Sequence, residues 1–142
     1  MYQKDYILKM IEMLGKFIAA IFDRISNGKF NEAEELLDES YETLLKESAA
    51  KFTFIPKEQL TEQLLSEYHF VNEQLEILAI LFKIEGDLRF AQKNFNLSAD
   101  FLEKSLILLE FLDNNSKLYS MERKSNIDEL KKKINLLKVA HR

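Results

Sequence analysis

The chain has 142 residues, 46% of them hydrophobic, with 24 acidic and 20 basic side chains and a formal net charge of −4. It contains no cysteine, which excludes disulfides and thiolate metal sites, and its acidic balance argues against general nucleic-acid binding. Three Gly and one Pro are too few for the turns of a β-protein, so the composition predicts long helices in a single domain over residues 1–142.

The first predicted helix runs from Gln3 to about Ser26. Apolar residues recur along it at helical spacing and predict one face that packs into the protein core. These residues are Ile7, Met10, Ile11, Leu14, Phe17, Ile18, Ile21 and Ile25. Gly28 follows the helix and suits the left-handed conformation that often ends one.

Leu8, Met13 and Phe22 make this helix apolar well beyond that one face. Large apolar patches rarely stay open on monomers, and a two-fold partner covers the same patch on both copies. We therefore expect a homodimer whose candidate interface contains Leu8, Met13 and Phe22. In the alternative, the connector at residues 52–55 folds over this helix and the chain remains monomeric.

A second helix is expected from Phe30 to about Glu47, and it is strongly acidic. Its candidate partner-binding residues are Glu34, Glu35, Asp38, Glu39 and Glu42. Like charges one turn apart repel, so this run needs an explanation. One explanation is a solvated face whose acidic residues are favoured near the helix N-terminus. The other is a docking face for a basic segment, either the chain's own C-terminal helix or a partner.

The connector over residues 49–60 is the least helical stretch of the sequence. Phe52, Phe54 and Ile55 are bulky apolar residues within it, and we expect them to fold back onto the helices. Pro56 disfavours helix at the residue before it and suits the first turn of a following helix.

Three more helical segments follow the connector. A short helix is predicted over residues 57–65 and a long one over residues 67–92, with His69 in a half-buried structural role near its start. A further helix from Phe95 to Leu112 pairs with the long helix across a polar break, which makes a helical hairpin.

This hairpin has a distinctive pattern of large and small residues. Phe82 and Phe95 are large aromatic residues before and after the turn, and Gly86, Ser98 and Ser105 are small residues on the two helices. Small residues let antiparallel helices approach closely. The pattern resembles one unit of a tetratricopeptide repeat. The resemblance implies a scaffold that holds protein partners, and it implies no chemistry.

A weaker copy of the pattern occurs earlier in the chain. Phe30, Ala33, Leu37 and Ser40 match Phe95, Ser98, Leu102 and Ser105 in that order. The offset is constant and close to twice the ~34-residue tetratricopeptide period. We therefore expect an all-α fold of antiparallel helical hairpins in a tetratricopeptide-like right-handed superhelix, with five long helices and one short one.

The last predicted helix runs from about Leu118 to Val139, after a break at residues 113–116. It has a narrow apolar stripe, as expected of a helix that caps a helical stack. The stripe consists of Ile127, Leu130, Ile134 and Leu137. The basic run at residues 131–133 is compatible with nucleic acid or anionic lipid, but a soluble capping helix is the favoured explanation, and no aromatic side chain interleaves to stack on bases. We expect neither nucleic-acid nor membrane binding.

Residues that could carry catalysis are scarce in the sequence. It has no Gly-x-Ser-x-Gly or phosphate-loop motif and only two histidines, His69 and His141. Carboxylate-bridged metal sites of helical bundles need Glu-x-x-His pairs, and neither histidine has a glutamate at that spacing. We therefore expect a protein that is not an enzyme and that needs no metal or cofactor.

The opening residues carry a second resemblance. Met1, Tyr2, Asp5, Tyr6 and Ile7 match a Met-Tyr-x-x-Asp-Tyr-Ile start, and the chain is similar along its length to a group of small bacterial proteins of unknown function. The resemblance implies a bacterial, cytoplasmic protein and no mechanism.

The leading hypothesis is a non-enzymatic protein–protein interaction scaffold with an unidentified protein or peptide partner. The alternative is a regulatory domain whose helical groove binds a small ligand or a peptide. The lining of the groove would separate these hypotheses. A closed apolar pocket would favour a small ligand, and an open groove lined by Tyr and Asn would favour a peptide or protein.

Overall fold

The computed structural model describes residues 4–115 and 120–140, which form helices joined by short connections, with no strand among them. The α-helices are α1 (Lys4–Ser26), α2 (Phe30–Leu45), α3 (Ala50–Thr53), α4 (Leu60–Ser66), α5 (Asn72–Ala91), α6 (Phe95–Asn115) and α7 (Met121–Ala140), and a 3₁₀ helix at Lys57–Gln59 precedes α4. The all-α class expected from the sequence is confirmed. The chain divides into two compact units, Met1–Phe54 and Ile55–Arg142. The superhelix and the single domain stay predictions.

In the first unit, α1 and α2 form a helical hairpin. Gly28 between them has a φ of +72°, and the Lys29 N–H donates a hydrogen bond of 2.8 Å to the Arg24 carbonyl, which closes the end of α1. Buried side chains of the hairpin include Met10, Leu14, Ile21, Ala33, Leu37 and Leu44. Tyr41 of α2 and Phe52 of α3 are also buried and stack with ring centroids 6.3 Å apart.

Two expectations for the first unit are wrong. Ile11 is 57% exposed, because the core face of α1 is narrower than expected and is centred on Met10, Leu14 and Ile21. Phe54 is 83% exposed although Phe52 is buried. Residues two apart on a helix point about 200° away from each other, so the short helix α3 cannot bury both phenylalanines against one surface.

In the second unit, α6 packs against α5 and α7, and α4 and the 3₁₀ helix also pack against α6. Lys57 of the 3₁₀ helix forms ion pairs with Asp100 and Glu103 of α6. The sequence predicted one short helix over residues 57–65. The structure has a 3₁₀ helix there that continues directly into α4.

The start of α5 differs from the prediction, because a connection of several residues separates it from α4. The Phe70 N–H donates to the Leu64 carbonyl at 3.0 Å, and His69 has a φ of +54°, so the chain turns sharply after α4. The Val71 N–H then donates to the Gln74 side-chain oxygen at 3.0 Å, which caps α5. His69 is exposed in this turn, and its expected half-buried role is wrong.

The contact between α5 and α6 is close at Gly86. A Cβ atom on Gly86 would lie 2.5 Å from Leu102 Cδ2 and 2.7 Å from Leu102 Cγ. The Ser98 hydroxyl donates to the Gly86 carbonyl at 2.7 Å, and the Ser105 hydroxyl donates to the Ala79 carbonyl at 2.6 Å. These side chains are buried, so the close approach expected at Gly86 is confirmed.

The last two helices differ slightly from their predicted bounds. The Asn115 side chain donates to the Phe111 carbonyl at 2.8 Å, and α6 remains helical through the predicted break to Asn115. Ser116 and Leu118 of the predicted break and helix start lie outside the described residues. The four residues of the apolar stripe of α7 are Ile127, Leu130, Ile134 and Leu137, and all are buried, as expected.

Candidate functional site

A cavity of about 430 Å³ lies between α5, α6 and α7 in the second unit. Its apolar lining consists of Phe90, Leu102, Leu136, Leu137 and Ala140, and its polar wall residues are Asp87, Ser98 and Lys133. Ligand pockets commonly have volumes of about 300–1,000 Å³ and a mostly apolar lining with a few polar groups. The cavity therefore has the size and chemistry of a binding site.

The lining side chains differ in how far they reach solvent. Leu102 and Leu137 are buried, whereas Phe90 is 53% and Leu136 is 70% exposed. The cavity is consequently open to solvent on the side of Phe90 and Leu136. On its inner wall the Ser98 hydroxyl donates to the Gly86 carbonyl, and Leu102 packs against Gly86.

A chain of alternating charges connects α5 to α7 beside the cavity. Lys133 Nζ lies 3.3 Å from Asp87 Oδ1 and 3.2 Å from Glu129 Oε1, and Glu129 Oε2 lies 3.2 Å from Lys83 Nζ. Two acids and two bases balance one another, so this wall presents hydrogen-bonding groups without an excess of charge.

Burial and hydrogen bonding move the pKa values of this network in different directions. Burial raises the pKa of Asp87 above its ordinary value of 3.8, although Lys133 opposes that change. Desolvation would raise the pKa of Glu129 as well, but hydrogen bonds from Lys133 and Lys83 lower it below its ordinary value of 4.5. Desolvation opposes the charge of Lys133, yet Asp87 and Glu129 raise the pKa of Lys133. For the charged form of Asp87, the free energy lost by burial is thus larger than the free energy gained from the ion pair with Lys133.

The lining supports binding by burial of apolar surface, at about 25 cal/mol for each Å² removed from water. Among the described residues no histidine lines the cavity, and Ser98, the only hydroxyl residue of that described lining, donates to a backbone carbonyl. Across the described ranges 4–115 and 120–140, no group of three or more His, Cys, Asp or Glu side chains could hold a metal ion. His141 lies outside those ranges.

The structure places the five candidate acidic residues on the outer side of α2. Glu35, Asp38, Glu39 and Glu42 are exposed and Glu34 is half-buried, whereas Ala33, Leu37, Tyr41 and Leu44 form the buried side of the helix. They therefore share one solvent-facing surface. That placement suits both a solvated face and a docking face.

Basic side chains of α7 have carboxylate partners within the second unit. Lys131 Nζ lies 3.7 Å from Glu110 Oε2, and Lys138 Nζ lies 3.6 Å from Glu103 Oε1. Together with the Lys133 pairs, these contacts attach the basic C-terminal helix to α5 and α6. The basic run therefore contributes to packing inside its own unit.

An exposed apolar stripe runs along α1 on a different side from its core face. We name it the outer strip; it consists of Leu8, Ile11, Gly15, Ala19 and Phe22, all of them exposed. Leu8 and Phe22 of the expected dimer face thus lie together. Met13 does not join them, because five residues turn a helix by about 140° beyond Leu8, and Met13 is half-buried there.

The cavity residues Phe90, Leu136 and Ala140 have no role in the sequence-based predictions. Phe90 and Leu136 lie off the core stripes of their helices, which is a weak signal shared by many surface residues. Ile11 and Gly15 had a clearer signal, since they continue the spacing of Leu8 and Phe22.

No protein-family model matches the chain, and searches of curated proteins and of solved structures found no match either. The tetratricopeptide-like pattern and the bacterial resemblance therefore stay expectations. In the part of the chain that the structure describes, none of the helices is both long and apolar enough to cross a membrane.

Proposed function

We propose that the chain is a non-enzymatic protein–protein interaction scaffold, and that the cavity between α5, α6 and α7 receives an apolar side chain of a protein partner. The observation that carries the proposal is the exposure of Phe90 and Leu136 at the open side of an apolar cavity. Exposed apolar groups around a concave site mark interaction surfaces, and binding energy concentrates where a bulky side chain fills such a pocket.

The hairpin of α5 and α6 supports a scaffold role. The contact at Gly86 and the hydrogen bonds of Ser98 and Ser105 hold the two helices together along their length. A preorganised frame lowers the entropic cost of binding a partner. A tetratricopeptide-like superhelix, a bacterial origin and a cytoplasmic location belong to the same proposal.

A partner that uses this cavity needs a Leu, Phe or Trp anchor of suitable size. The apolar lining buries the anchor, and the Asp87–Lys133 pair at the wall offers a carboxylate and an ammonium group to polar atoms beside it. Because the network is charge-balanced, we expect little dependence of binding on the charge of the partner. This expectation separates the cavity from the acidic face of α2.

The test is a selection of random peptides that bind the immobilised full chain, followed by titration of the selected peptides against two variants. Leu136→Glu should weaken binding at least about tenfold, because a charge at the open side of the cavity must be desolvated. Val139→Glu is the matched control, since Val139 is also 70% exposed on α7 but does not line the cavity. Equal losses in both variants would contradict the proposal.

A small apolar ligand is the second candidate, and it is favoured by the mostly apolar lining, whose described residues include neither Tyr nor Asn. The neutral dye N-phenyl-1-naphthylamine is a suitable probe. If the dye binds with one-to-one stoichiometry and loses affinity in Leu136→Glu, while peptide selection yields no binder sensitive to Leu136, the ligand-binding function replaces the scaffold.

The acidic residues of α2 stay a candidate docking face for a basic partner segment. Binding there would weaken strongly between low salt and 1 M salt, since exposed charges are screened beyond about 3 Å at 1 M ionic strength. A Lys-rich peptide titrated at both salt concentrations tests this face. Homodimerisation, the other partner expectation, concerns α1 and is independent of the cavity.

A further inference from the structure

We infer that the outer strip of α1 is a two-fold symmetric interface with a second copy of this chain, in which two α1 helices pair antiparallel about Gly15. The strip is exposed along its whole length, from Leu8 to Phe22. Two observations specify the second copy as its occupant: the symmetry of the residue spacing and an unexplained glycine at its centre.

The spacing of the outer strip is the same in both chain directions. Ile11 and Ala19 each lie four residues from Gly15, and Leu8 and Phe22 each lie seven residues from it. A two-fold axis at Gly15 therefore sets Ile11 against Ala19 of the second copy and Leu8 against Phe22 of the second copy. Large residues face small ones near the axis, which lets the helices interdigitate. Isologous interfaces require this kind of self-complementarity.

Gly15 has no explanation within its own chain. A glycine inside a helix costs about 1 kcal/mol relative to alanine. At Gly86 the missing Cβ atom makes room for Leu102, but a Cβ atom on Gly15 would have no atom of the described residues within 4 Å. The space that Gly15 leaves open lies on the outer strip. A second helix crossing at that point would use it, as small residues at helix crossings do.

Charges along one edge of the strip include pairs of opposite charge in the antiparallel arrangement. Lys9, Glu12, Lys16 and Asp23 are exposed there. Around the axis at Gly15, Glu12 comes within about half a turn of Lys16 of the second copy, and Lys9 does the same with Asp23 of the second copy. Two approaches of like charge oppose these pairs, because Lys16 lies about half a turn from Lys16 of the second copy and Asp5 lies the same distance from Asp23 of the second copy.

Cross-linking tests the geometry, and the absence of native cysteine makes single-cysteine variants unambiguous. Two copies of the Gly15→Cys variant should form a disulfide with each other, since the two Gly15 positions meet at the axis. Leu8→Cys should not, because in the antiparallel pair the two Leu8 positions are separated by about 21 Å along the helix axis at a rise of 1.5 Å per residue. An equal mixture of Leu8→Cys and Phe22→Cys should give the mixed disulfide. Self-cross-linking of Leu8→Cys in preference to that mixture would overturn the antiparallel arrangement.

Sedimentation equilibrium of the full chain tests the interface itself. A single helix pair is at the small end of interface sizes, below about 1,200 Å² in total, so the series must extend to high protein concentration. Ile11→Glu should raise the dimer dissociation constant at least about tenfold, because it would bury a carboxylate against apolar groups. Phe54→Glu is the control, since Phe54 is an exposed apolar residue of the same unit outside the strip. It should leave the dissociation constant within about twofold.

Gly15→Leu distinguishes loss of the interface from loss of folding. The side chain enters open space in the single chain, so the helical circular dichroism signal should not fall, yet it occupies the crossing point and should abolish the dimer. A parent chain that is monomeric at every concentration would overturn the inference. A dimer that Ile11→Glu and Gly15→Leu leave intact would overturn it too, because dimerisation would then use another surface.

Discussion

The two helical glycines Gly15 and Gly86 stand in opposite surroundings. Gly86 lies in the α5–α6 contact, where a Cβ atom would overlap Leu102. Gly15 lies on the outer strip of α1, where a Cβ atom would have no neighbour within 4 Å among residues 4–115 and 120–140. Helix propensity disfavours both residues equally. The comparison shows that packing inside the chain explains Gly86, whereas for Gly15 the explanation that we propose is the two-fold interface.

The largest expected effect comes from the same substitution at both glycines. Gly86→Ala should lower the free energy of unfolding by about 1–3 kcal/mol, because the new methyl group overlaps Leu102 Cγ, which cannot move without repacking. Gly15→Ala should raise it by up to about 1 kcal/mol, the helix-propensity gain. Urea denaturation at low protein concentration measures both. A stabilising Gly86→Ala would contradict the close contact of α5 and α6.

The buried serines extend the comparison from the glycines to the two hairpins. The Ser105 hydroxyl donates across to α5, whereas the Ser40 hydroxyl donates at 2.6 Å to the Leu37 carbonyl of its own helix. Ser105→Ala should cost about 0.5–1.5 kcal/mol through the lost interhelical hydrogen bond. Ser40→Ala should lower the free energy of unfolding by less. The hydrogen bond that it removes lies within one helix, and alanine has a higher helix propensity than serine.

Denaturation curves of both serine variants and of the parent give these values directly. If Ser105→Ala and Ser40→Ala lowered the free energy of unfolding by similar amounts, the two serines would contribute to stability by burial alone. Ser125→Ala on the exposed side of α7 supplies the baseline for a serine in a helix without a packing role.

A smaller effect separates Glu103 of α6 from Glu39 of α2. Glu103 of α6 forms ion pairs with Lys57 and Lys138, so Glu103→Gln should destabilise by up to about 1 kcal/mol. Glu39 of α2 is exposed one turn from Glu35, and Glu39→Gln should stabilise by about 0.2–0.5 kcal/mol by relieving repulsion. Both effects should shrink in 1 M salt. Destabilisation by Glu39→Gln would show that this face already has a cationic partner.

The smallest effect is a pH dependence with opposite signs at Asp87 and Glu129. The raised pKa of Asp87 means that the folded chain binds its proton more tightly than the unfolded chain, so this group costs stability as pH rises above 3.8. Relative to the parent, Asp87→Asn should therefore gain stability as pH increases through the raised pKa. The pKa of Glu129 is lowered, so the stability that its charged form contributes is lost as pH falls below 4.5. Relative to the parent, Glu129→Gln should therefore lose stability as pH increases. Denaturation series from acid to neutral pH measure both slopes, and slopes of equal sign would contradict the network.

Local signals predicted the helices and parts of the sites. The periodicity of Ile127, Leu130, Ile134 and Leu137 identified the buried stripe of α7, and Gly28 marked the end of α1. Predictions failed where a tertiary or short-range contact outweighed periodicity. His69 looked like part of a long helix, but the hydrogen bond from Phe70 to Leu64 ends α4 and leaves His69 in a turn. Ile11 had the spacing of a core residue, but the core face of α1 did not extend to it.

The sequence by itself determined the all-α class, the small residues that bring α5 and α6 together, and the apolar excess of α1. These features depend on periodicity, side-chain volume and helix propensity, which act over one or two turns. Only the tertiary structure decided that the side of α1 with Leu8, Gly15 and Phe22 is exposed, and that Phe90 and Leu136 border one cavity. A cavity is the space left where three helices pack, and its position depends on contacts between residues far apart in the chain. The same physical reason explains why Asp87 and Lys133, which are 46 positions apart, became ion-pair partners at its wall.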